Sequence, residues 1–166
     1  HAKVLYDRDN NMKKLQTELD RHAFSAKDFF QFVPTEASAL LEYVGKMRHA
    51  YSERDELNIL YAARTIAEIC YNILISFNVI WKYQSESETY PSFIKLENKP
   101  PHYVEDFKIC YGLTLKKRTN RMMFNSAMRL TRETTSFLRK NLDETTIEDK
   151  EFLQFFNSKE YKDYLR

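Results

Sequence analysis

Gly45 and Gly112 are the only glycines in a chain of 166 residues, where ordinary usage of about 7% would place roughly twelve. Glycine enters left-handed backbone without a Cβ clash, so hairpin turns, bulges and phosphate-cradling loops draw on it. A chain almost without it builds tight-turned sheets with difficulty. Helices punctuated by Ser, Asp, Asn and Pro need none. The expectation is therefore an all-α fold. The same scarcity excludes the P-loop, the dinucleotide-binding fingerprint and the nucleophile elbow, each of which needs closely spaced glycines.

The length is that of one ordinary domain, able to bury roughly 70% of its unfolded surface. Hydrophobic residues at 43% and charged residues at 30% describe a globular chain, not a disordered one. Cys70 and Cys110 are too few for a disulfide framework and sit in apolar stretches, as buried thiols do. The most apolar run, Ile73 to Trp81, is too short to span a bilayer and contains Ser76 and Asn78. No signal peptide is visible, so the chain reads as intracellular and soluble, without a membrane partner. It begins at His1 and reads as a single domain over residues 1–166, a piece of a larger protein.

Apolar spacing and caps predict six to eight helices in one bundle. Met12, Leu15 and Leu19 place a helix over Asp9–His22. A short aromatic segment, Ala26–Val33, ends at Pro34. Thr35 then caps a helix over Glu36–Tyr51. Ser52 to Asp55 resembles a capping box opening a long helix over Glu53–Tyr83, about 45 Å at ~1.5 Å per residue. That helix is apolar on most sides from Leu57 onward, which makes it the buried centre of the bundle, with a bend expected near Ser76. Residues 85–101 form the main loop. Further helices follow over His102–Tyr111 (closed by Gly112), Leu115–Leu142 and Ile147–Phe156, with a last turn capped by Ser158.

One segment carries an unusual charge. Phe107 to Leu142 holds nine basic residues and a single acid, Glu133, a net of +8 against −6 for the remainder. Arg118, Arg121, Asn125, Arg129, Arg132, Ser136 and Arg139 are spaced by three or four, so on a helix they share one narrow face. Guanidinium groups bind phosphate bidentately and stay charged at any working pH. Lys117, Arg118, Arg121, Arg129, Arg132 and Arg139 are accordingly the expected contacts to RNA, DNA or another polyanion. The competing account is a charged face neutralised by Glu36, Glu42, Glu53, Asp55, Glu56, Glu144, Glu148 or Asp149 from neighbouring helices. In that case the chain is a protein-interaction or oligomerisation module, with Phe29–Val33 and Phe152–Phe156 as its aromatic surface.

Other constellations are weaker. A polar line on the long helix includes Arg64 and Glu68, read as a structural network. His102, Glu105 and Asp106 share one helical turn, but a metal site needs ligands from elsewhere as well. HEPN ribonucleases require an Arg four to six residues before a His, and none of His1, His22, His49 and His102 has one. No catalytic residue, metal ligand or cofactor is assigned. The leading expectation is a non-enzymatic domain that binds nucleic acid through its arginine row.

Overall fold

The computed structural model describes residues 10–21, 30–78, 93–114, 117–142 and 149–165. These form seven helices: α1 (Asn11–Arg21), α2 (Val33–Ser52), α3 (Glu56–Ile75), α4 (Tyr103–Tyr111), α5 (Asn120–Asn141), α6 (Lys150–Asn157) and α7 (Lys159–Tyr164). Helix α3 is the centre, packed against α2, α5 and α4, while α5 also meets α4 and α2. The all-α bundle expected from glycine scarcity is what the chain forms.

The core is read directly from helical phase. Leu40, Val44 and Met47 of α2 face Ile59, Ile66, Ile73 and Leu74 of α3, all buried. From α5 come Met123, Ala127, Leu130 and Leu138. Cys70 on α3 and Cys110 on α4 are both buried free thiols, and burial pushes the Cys70 thiol up to about 12. Thr131 and Thr135 are buried on α5 too, their hydroxyls donating to the carbonyls of Ala127 and Thr131 one turn back.

Several boundaries differ from expectation, each for a local reason. Pro34 opens α2 near its first position rather than ending a preceding segment, because a missing N–H costs nothing there. Residues 22–29, which include the first half of that segment, lie outside the described residues. The cap of α3 is Asp55, three residues beyond Ser52; its carboxylate accepts from the Asn58 backbone at 3.1 Å and from the Asn58 side chain at 2.6 Å. Helix α3 ends at Ile75, far short of Tyr83. Asn78 donates to the Leu74 carbonyl and exchanges hydrogen bonds with Asn98, whose side-chain amide donates to the Phe77 carbonyl. This amide pair holds residues 93–100 against the helix end. There Phe93, Leu96 and Pro100 are buried, so the second half of the expected loop is packed rather than open.

The two helix ends that turn most sharply solve the same problem differently. Gly112 closes α4 with φ 87°, and the Leu113 N–H reaches back to the Lys108 carbonyl. Arg54 closes α2 with φ 57°, and the Asp55 N–H reaches back to the Ala50 carbonyl. Both are Schellman-type closures, in which glycine normally takes the left-handed position. At Arg54 the chain holds a charged, β-carbon-bearing residue there.

Candidate functional site

Helix α5 places the arginine row, and the structure breaks it. Thr119 caps α5 through the Met122 N–H, so Arg118 precedes the helix and is out of its phase. The Arg118 guanidinium instead donates to the Ile109 carbonyl at 3.3 Å and lies against Gly112. Arg129 forks onto Asp106 of α4 with two bonds of 2.7 Å. Asp106 is fully buried. Glu105 approaches the same guanidinium at 3.5 Å. The hydrogen bonds to Asp106 raise the Arg129 pKa above its already high value. Arg139 donates to the Phe156 carbonyl at 3.1 and 3.3 Å and stands over the rings of Phe156 and Tyr161.

The expected nucleic-acid surface is therefore overturned. Of its six residues, Arg118, Arg129 and Arg139 serve interior contacts, and only Lys117, Arg121 and Arg132 remain exposed without an ion pair among the described residues. A contiguous track of guanidinium groups is what backbone binding requires, and its middle is occupied by Asp106. The pairing account is the better one, although the principal acid is none of those expected. Asp106 and Glu105 stand in the first turn of α4.

The single acid of the basic segment has a comparable use. Glu133 accepts the backbone N–H of His102 at 3.1 Å and meets its Nδ1 at 2.6 Å. Helix α4 has no side-chain cap of its own, so a carboxylate from α5 takes that place, where the helix dipole favours negative charge. Arg129 and Glu133 on α5 thus engage Asp106 and His102 on α4, each pair four residues apart along its helix. Nearby, Tyr111 donates to Glu68 at 2.8 Å and accepts from Arg64 at 3.3 Å, joining α4 to α3. The expected turn of His102, Glu105 and Asp106 is spent on α5, and the polar line of α3 is a structural link at a half-exposed surface.

The aromatic segments expected as an interface are largely internal. Phe30 packs edge-on against Phe77, Val33, Phe152 and Phe156 are buried, and only Phe32 and Phe155 are exposed. Phe29 lies outside the described residues.

The surface that sequence reasoning missed is the first two turns of α3. Leu57 is 80% exposed, Tyr61 57% and Leu60 38%. At ~100° per residue these three occupy an arc of about 100° on the helix. The signal was present as excess. Ile59, Ala62, Ala63 and Ile66 already supply a complete inward stripe, which leaves Leu57, Leu60 and Tyr61 with no core to enter.

Leu57 and Leu60 form one wall of an open groove of about 1100 Å³ between the α2–α3 turn and the start of α5. Tyr51, stacked on Phe124 with centroids 4.3 Å apart, borders it from α2. Among the described residues no cluster of His, Cys, Asp and Glu could hold a metal ion, and no helix is long and apolar enough to cross a membrane. Compared with known proteins, the chain matches no family model and no curated sequence.

Proposed function

We propose that this chain is a protein-interaction module whose docking surface is the exposed strip on the first turns of α3. The observation that supports this reading is the exposure of Leu57, Leu60 and Tyr61, side by side, on the helix that otherwise forms the core, with the Tyr61 hydroxyl meeting that of Tyr43. Scattered surface leucines are ordinary. Three large apolar residues within five positions, on one arc and beside a groove, form a patch of the kind that marks interaction sites. Leu57 alone forgoes about 2 kcal/mol of burial by staying in solvent. Docking against a partner recovers that term. The arginines of α5 contribute by stiffening the frame, because Arg129 and Arg139 tie α4 and the α6–α7 pair to it.

The test is a photoreactive phenylalanine analogue placed at Leu57 in the full-length protein within its own cells, with the same probe at Lys140 as control. The expected outcome is one discrete adduct from position 57 that Leu60→Asp abolishes, and none from position 140. An adduct of twice the protein's mass identifies the partner as a second copy. Equal capture from both positions, or none from position 57, overturns the reading.

A further inference from the structure

We infer that the groove beside Leu57 accepts an acidic amphipathic helix of a partner protein. This rests on the interaction-module reading and adds the chemistry of the occupant. The groove combines two features. Part of its lining is apolar, from Leu57, Leu60 and Met123. Its charged lining is cationic: Arg54, Lys117 and Arg121, with Arg118 beside them engaged at the Ile109 carbonyl, stand against one carboxylate, Glu56. That carboxylate already accepts from the Asn120 side chain.

Two further observations agree on the sign of the charge, and a third marks the place. Helix α5 begins at the groove with no acidic residue in its first turn, so its positive dipole end is not offset there. Arg121, in that first turn, and Lys117, just before it, make no ion pair among the described residues. Arg54 is held on the rim in a left-handed conformation that glycine would occupy more cheaply. Residues kept in such a conformation against their preference cluster at functional sites.

The spacing supplies the shape. Leu57 and Leu60 stand at i and i+3 on the groove, with Tyr61 at i+4 beside Leu57 and against Tyr43 of α2, a ridge that interdigitates with apolar residues of similar spacing on a second helix. A partner helix with Leu, Ile or Phe on one face and Glu or Asp on its flanks places apolar side chains against the ridge and carboxylates against Arg54, Lys117 and Arg121. A nucleic acid offers the negative charge without the apolar face, and a basic helix offers the face with the wrong sign.

The experiment uses fluorescence anisotropy with the whole chain and three labelled synthetic peptides of about sixteen residues, roughly four helical turns. The first is amphipathic with Leu on one face and Glu elsewhere, the second replaces each Glu with Lys, and the third is polyglutamate. The acidic amphipathic peptide is expected to bind at least about tenfold tighter than either other at ~150 mM salt. Leu57→Ser and the pair Lys117→Glu with Arg121→Glu each weaken it about tenfold. Arg54→Gly weakens it while easing the backbone, so a folding defect cannot explain the loss. Arg132→Glu, at another exposed arginine on the same helix but outside the groove, leaves binding unchanged. Polyglutamate binding as tightly, or Arg132→Glu acting as strongly as Arg121→Glu, reduces the effect to general charge and overturns the inference. No binding by any peptide overturns it too. Lys-peptide binding that depends on Leu57, together with a discrete crosslink from position 57, removes the preference for acid and leaves the interaction module standing.

Discussion

Arg121 and Arg129 are the same residue type on the same face of α5, two helical turns apart, yet one reaches into solvent and the other grips a buried aspartate. The cause is what crosses the helix. Over the middle of α5 lies the start of α4, which brings Asp106 and His102 within reach of Arg129 and Glu133. Arg121, in the first turn, lines an open groove instead. Periodicity reports which residues share a face, and it is silent about which part of that face a neighbouring helix covers. Burial, not charge density, separates structural from available arginines here.

Substitutions along the row should grade with that cover. The largest effect is expected for Arg129→Met, which strands the Asp106 carboxylate in the core. Uncompensated buried charges are severe, and with the Arg129 side chain 39% exposed the cost falls at the lower end, about 3 kcal/mol in urea denaturation. Adding Asp106→Leu should recover most of it. A single variant that loses no stability would show that the fork is not structural.

Next is Arg139→Leu, expected to cost about 1.5 kcal/mol through the lost charged hydrogen bonds to Phe156. Faster amide exchange should be confined to α6 and α7, and uniform acceleration across the bundle would contradict this tether. Arg54→Gly should raise stability by up to about 1 kcal/mol, since left-handed backbone penalises a Cβ by a little more than glycine costs in unfolded-state entropy. A destabilised Arg54→Gly would mean that the side chain holds the turn. The smallest effect is expected at Arg121→Met, under about 0.5 kcal/mol either way. A larger loss would erase the contrast between Arg121 and Arg129.

The architecture was legible because it rests on terms that are local in sequence. Two glycines, the stripe of Leu40, Val44 and Met47, and the stop at Gly112 each carry their own explanation. Ser158 caps α7 as expected, its hydroxyl accepting from Tyr161. The misplaced boundaries were contests between two adequate local signals: Ser52 against Asp55 as a cap, and Pro34 as a stop against Pro34 as a start. The site was less legible. Asp106 is one acid among many in the sequence, and only the crossing of α4 over α5 makes it the partner of Arg129. The strip at Leu57 was hidden by the opposite error. A helix apolar on most sides reads as buried from Leu57 onward, although its inward stripe is already complete without Leu57, Leu60 and Tyr61.

The two thiols of the core give the bundle a built-in clock. Cys70 and Cys110 sit on adjacent helices, both without exposed surface, and the burial that raises the Cys70 thiol to about 12 also suppresses its thiolate. A water-soluble alkylating reagent can reach either sulfur only when the helices part. Its rate of reaction therefore counts openings of the native bundle. If α3 and α4 separate only in global unfolding, both sulfurs are modified at one rate, and the Arg129→Met substitution quickens them together. If α4 peels away first, Cys110 runs ahead of Cys70, and the interval between the two measures how firmly the fork at Asp106 holds.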